Sequence, residues 1–158
     1  MYFTTRKPTR IAKFDYSQPN CYFITICAHN HRCIFGLPGQ LNELGRIVER
    51  HIQNIPNHYQ GVSIDKYVVM PNHVHLILVL ESSDNPGIPQ IIGQFKTGVT
   101  KEIRRKNPGV SVWQRSFHDH IIRNQNTYEK IWLYIEGNPL NWDKDCFYID
   151  PYMDNSHE

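Results

Sequence analysis

The run Cys21-Tyr-Phe-Ile-Thr-Ile-Cys27 is β-branched and aromatic, and predicts a first strand. The pattern then changes period. Leu41, Leu44, Ile47, Val48, Ile52 and Ile55 recur at helical spacing, which predicts a helix from about Leu41 to Ile55, closed by Pro56. Residues 62 to 70 read as a second strand, Pro71-Asn72 as a turn, and residues 73 to 80 as the returning arm of a hairpin. After the loop from Ser82 to Pro89, a second helix runs to about Lys106 with Ile91, Phe95, Val99 and Ile103 on its buried side. Gly98 weakens it by ~1 kcal/mol relative to alanine. Asn107-Pro-Gly109 ends it, and the stretch from Val110 to Arg123 holds a fourth strand. Asn124-Gln-Asn126 breaks the pattern before a third helix from Thr127 to about Gly137, where Gly137-Asn138-Pro139 stops it. The resulting order predicts an α+β, ferredoxin-like (split βαβ) fold: a four-stranded antiparallel sheet with helices on one face, plus a third helix. Many unrelated functions share that fold, so it selects none of them.

Composition narrows the setting. At 158 residues, with 40% hydrophobic and 20% charged residues, the chain predicts one ordinary globular domain, with its core at about residues 14–143 between a basic arm and an acidic tail. The longest apolar run, Leu76 to Leu80, is far too short to span a bilayer, and the first fourteen residues hold no apolar core. The expected location is the cytoplasm, without a membrane partner. There, Cys21, Cys27, Cys33 and Cys146 form no disulfide framework. The cluster Cys27-Ala-His29-Asn-His31-Arg-Cys33 fits no common zinc spacing and is read as structural or incidental. Net charge is only +2, but it is unevenly spread. Arg6, Lys7, Arg10 and Lys13 meet no acid in the first thirteen positions, and Lys96, Lys101, Arg104, Arg105, Lys106 and Arg115 face Glu102 alone. Such clusters suit phosphate contacts as well as a solvated face.

Candidate chemistry begins at His73 and His75. Two residues apart on a strand, both imidazoles project from one face. They supply two-thirds of a metal site, or simply a pair of strand histidines. Of the nine tyrosines, only Tyr16 and Tyr134 have an asparagine four residues later, and Pro19 opposes a helix at the first pair. Tyr134 and Asn138 would share a helix face, although a residue before proline resists helical geometry.

The ordered blocks Met70-Pro-Asn-His73-Val74-His75, Trp113-Gln-Arg115, Ile121-Ile-Arg123 and Tyr134-Ile-Glu-Gly-Asn138-Pro139 resemble the REP-associated tyrosine transposases, which are single-tyrosine HUH transposases. Phe14-Asp-Tyr-Ser17, Tyr22-Phe-Ile-Thr-Ile26 and Phe35-Gly36 extend the likeness over about residues 6 to 143. The resemblance implies His73 and His75 as metal ligands, Asn138 completing the site, and Tyr134 as nucleophile. It implies a divalent ion, Mg²⁺ or Mn²⁺, although imidazole ligands also suit zinc or nickel. The implied reaction nicks and rejoins single-stranded, hairpin or palindromic DNA through a 5′-phosphotyrosine. Phosphate contacts would come from the two basic clusters and Arg123. Either a monomer or a homodimer that exchanges its tyrosine helices is compatible. Phe117-His118-Asp119-His120, a second His-x-His, suggests another metal or an acid-base pair, but is read with a structural or substrate-contact role. Two rivals stand: a non-catalytic single-stranded nucleic-acid binder on the same fold, and a phosphodiesterase with water as nucleophile.

Overall fold

In a computed structural model, which describes residues 20–149, the chain runs β1 (Asn20–Cys27), a short hairpin of β2 (Gly36–Leu37) and β3 (Gln40–Leu41), α1 (Glu43–His58), β4 (Val62–Met70), β5 (His73–Leu80), α2 (Ile88–Lys106), β6 (His118–Ile122) and α3 (Gln125–Gly137). A 3₁₀ stretch, Asn138–Lys144, follows. The main sheet is antiparallel in the order β4-β5-β1-β6, the ferredoxin-like arrangement the pattern predicts.

β1 and β5 are nearly continuous in apolar residues because both of their faces are covered. One face, with Tyr22, Ile24, Ile26, Val74, Leu76 and Leu78, packs against α1 and α2 in the main core. The other carries Phe23 and Ile77, which pack with Tyr128, Ile131, Trp132 and Ile135 of α3. The third helix therefore lies across the sheet from the first two. None of the described helices is long and apolar enough to cross a membrane.

The helices differ from the pattern mainly at their ends. Asn42 caps α1 by accepting from the Gly45 amide at 2.9 Å, and the helix runs through Pro56 to His58. A proline in the last turn forfeits one hydrogen bond, and the buried Ile52 and Ile55 hold that turn in place. The α2 stripe buries Ile91, Phe95, Val99 and Ile103 as its spacing predicts. A β-carbon at Gly98 would sit 3.2 Å from the His51 ring, so glycine there lets α1 and α2 approach closely. Asn124 caps α3 through the Thr127 amide at 2.8 Å, starting the helix at Gln125. At the other end Asn138 stays helical (φ −58°, ψ −44°) despite Pro139, and the chain continues in 3₁₀ turns instead of stopping. That continuation folds Trp142 and Asp145 back toward β5.

Candidate active site

β5 sets His73 and His75 side by side on the face opposite α1 and α2, with ring centroids 4.6 Å apart. Across the strand pair, Cys27 stands opposite His73 and Thr25 opposite His75. Each imidazole is held through its Nδ1. His75 Nδ1 lies 2.8 Å from Thr25 Oγ1, and His73 Nδ1 lies 2.8 Å from Asn72 Oδ1. The second contact fixes a tautomer. Asn72 Nδ2 donates to the carbonyls of His31 and Phe147, at 3.1 and 2.7 Å, so Oδ1 must accept and His73 Nδ1 must carry the proton. His73 Nε2 is then a bare lone pair.

That lone pair faces Asp145 Oδ2 at 3.6 Å, with both side chains essentially inaccessible. An ion pair here would require protonated imidazole. Burial instead pushes both histidines down, His75 to about 3, and the neighbouring His75 lowers His73 further against the pull of Asp145. Two acceptors thus oppose each other in a dry site, which costs free energy unless a cation lies between them. Nε2 of both histidines, Asp145 Oδ2 and Asn138 Oδ1 are all buried without a hydrogen-bond partner. The ligand atoms of His73, His75 and Asp145 lie within 4.8 Å of one another. Two imidazoles and a carboxylate with orphaned, converging atoms are a donor set that fits a divalent ion.

Asn138, buried at the end of α3, lies beside both His73 and Tyr134. The Tyr134 ring is 5.4 Å from the His75 ring and edge-on to Phe23 at 6.2 Å, while Phe23 stacks on His75 at 5.2 Å. Tyr134 is about half exposed (45%), and desolvation raises its pKa above the ordinary phenol value, partly offset by Asn138. Phe147 lies tilted against His73 at 4.7 Å and, with Trp142 at 6.1 Å, closes the imidazoles from solvent.

The arrangement brings together a tyrosine, two imidazoles and oxygen donors in the chain order of a known family, and residues 22–138 match the family model described as "Transposase IS200 like". The chain belongs to the IS200-like transposase family. A relative from Haemophilus influenzae named only as an uncharacterized protein is 37% identical over 169 residues, covering 92% of this chain and 94% of its own. A second H. influenzae relative, provisionally named a REP-associated tyrosine transposase, is 27% identical over 137 residues, covering 80% and 73%. Among solved structures, a REP-associated tyrosine transposase bound to a REP hairpin superposes with a TM-score of 0.62 at 22% identity, covering 84% of this chain and 73% of that one. A protein from Deinococcus radiodurans provisionally named a transposase superposes at 0.54 and 18% identity, covering 81% and 95%. At these identities both likenesses show that the fold is shared.

His73, His75, Asn138 and Tyr134 therefore meet in one place in this chain, as the sequence resemblance implies. Asp145 joins them unforeseen. It sits in an acidic stretch that reads as a solvated tail, and only the 3₁₀ turns after Pro139 bring it to β5. Asn72 reads as a turn residue and Thr25 as strand filler, yet each holds one of the two imidazoles. The basic residues are more dispersed. Arg6, Lys7, Arg10 and Lys13 lie outside the described residues. Lys96 donates to the carbonyls of Gln114 and Ser116, Arg104 to that of Val110, and Lys106 pairs with Glu43 at 2.5 Å. Lys101 and Arg105 are exposed on α2, and Arg115 and Arg123 are exposed near the two ends of β6. Because α1 and α2 cover the opposite face of the sheet, the α2 cluster does not gather at Tyr134. The four cysteines are free, and the His29–His31 segment forms a 3₁₀ turn in which His31 stacks on Phe147 at 5.7 Å.

Proposed function

We propose that this transposase is a metal-dependent single-stranded DNA transesterase that nicks and rejoins hairpin or palindromic DNA through Tyr134. The observation that carries the reading is the set of buried, unpartnered ligand atoms beside a half-exposed tyrosine. His73 and His75, with Asn138 and Asp145, would hold a divalent ion; the mixed nitrogen and oxygen donors suit Mn²⁺, with Mg²⁺ as the harder alternative. When bound, such an ion neutralises and polarises the scissile phosphate.

This chain's residues then do the following. Tyr134 Oη bonds to the backbone phosphorus as the bond to the DNA 3′-oxygen breaks. The phenolic proton is lost to solvent, and the departing oxygen is protonated to a free 3′-hydroxyl. The 5′-phosphate stays on Tyr134 until a 3′-hydroxyl attacks it and rejoins the strands, so the phosphodiester energy is kept without ATP. Burial makes the phenol a reluctant acid, and a free tyrosine at about pKa 10 is already a poor nucleophile at neutral pH. The Asn138 amide beside it favours the ionised form. The Phe147 ring lies over the imidazoles, so a phosphate reaches them once that side chain turns aside, with Asp145 left in place. Hairpin binding by the solved relative supports the substrate class, and the exposed Lys101, Arg105, Arg115 and Arg123 supply phosphate contacts along the duplex and its arms.

The test is cleavage of a pool of DNA hairpins carrying randomised single-stranded extensions, in Mn²⁺ and in excess chelator. Wild type should cut only with the ion, and Tyr134→Phe should not cut at all. Cutting that persists in the phenylalanine variant would assign the site to water-mediated hydrolysis. Full cutting in chelator would remove the metal from the reaction.

A further inference from the structure

The second His-x-His finds its place in the register of β6. His118 stands opposite Thr25 and His120 opposite Phe23. Cross-strand partners in an antiparallel pair share a face. Both exposed imidazoles therefore lie on the Tyr134 side of the sheet, one strand out from His75. Thr25 contacts His75 directly, and half-buried Phe23 touches both His75 and Tyr134. α3 packs over β4 and β5, and beyond Phe23 the sheet opens to solvent at His118 and His120. Exposed Arg115 and Arg123 flank the strand, while Asp119, the acidic residue of β6, alternates to the other face.

We infer that this shelf carries the single-stranded arm of the DNA away from the scissile phosphate: a base stacks on Phe23, and His118 and His120 donate hydrogen bonds to successive phosphates. The inference rests on the proposed function and adds the path of the strand. Its support is continuity with the tyrosine, charge complementarity and spacing. Residues two apart on a strand stand roughly 6.7 Å from each other, close to the phosphate spacing of a stretched single strand. A half-exposed aromatic between donors is how open sheets hold single strands.

Binding in chelator separates this path from catalysis. The probes are a fluorescein-labelled hairpin with a ten-thymidine arm and the same hairpin with a blunt end. His118→Ala/His120→Ala should weaken the armed hairpin about tenfold, the loss of two modest hydrogen bonds, and leave the blunt one unchanged. Iodouracil placed in the arm should photocrosslink to β1 or β6 peptides. Unchanged affinity for the armed hairpin, equal losses on both hairpins, or crosslinks confined to α2 would each overturn the assignment. Failure of the tyrosine chemistry would show separately, as absent adduct in Mn²⁺ with the unmodified protein.

Discussion

Asn72 and Asp145 act on the same imidazole from opposite edges. Asn72 fixes the proton on Nδ1 of His73, and Asp145 then confronts its bare Nε2. Two outcomes follow. Asn72→Ala removes the orienting acceptor, and Mn²⁺ affinity measured by calorimetry should fall by roughly 10- to 100-fold, as for other outer-shell partners. Asp145→Asn should weaken Mn²⁺ at least as much, yet the metal-free protein should melt no lower than wild type. An amide at that position can donate to Nε2, which relieves the opposed lone pairs. A lower melting temperature with unchanged Mn²⁺ affinity would mark Asp145 as a structural residue only. Neither role was legible in the sequence. Asn72 sits in an apparent turn, and Asp145 reaches the site through 3₁₀ geometry that no periodicity announces.

Among the elements, β4 and β5 were legible to the residue, because Pro71-Asn72 is a sharp break between two apolar runs. The α2 stripe was equally plain. What propensity rules missed were positions where tertiary contacts prevail: Pro56 within the last turn of α1, and helical Asn138 ahead of Pro139. Keeping Asn138 helical matters most, since it puts the amide beside His73 and Tyr134. The start of α3 is set by Asn124, whose side chain satisfies the Thr127 amide. Asn124→Ala should cost about 1 kcal/mol in urea unfolding, with no change in Mn²⁺ affinity if the far end of the helix is held by its own packing. A matching loss of affinity would show that the site depends on the whole helix.

The fold as a whole spends stability to keep two imidazoles neutral and dry. Their folded pKa values lie below the unfolded value of about 6.5, His75 at about 3, chiefly through burial. The unfolded chain therefore binds protons that the folded chain does not. The stability these groups allow is fully present above about pH 6.5 and is lost as pH falls toward their folded pKa values. For chelator-treated protein, unfolding free energy should drop by about 1.4 kcal/mol per pH unit for each histidine from pH 6 to 5, above the main carboxylate range. His75→Gln should roughly halve that slope. A flat profile over this interval would mean that the imidazoles are not buried as described.

The central claim, that Tyr134 is the nucleophile of a DNA transesterase, is tested most directly by the product on the protein itself. Full-length protein incubated with Mn²⁺ and the randomised-extension hairpin pool should give a denaturant-resistant protein–DNA adduct. After nuclease and protease digestion, mass spectrometry should place a single nucleotide phosphate on the peptide containing Tyr134, and the released strand should end in a free 3′-hydroxyl. An adduct on any other residue, or cleaved DNA with no adduct at all, would contradict the account.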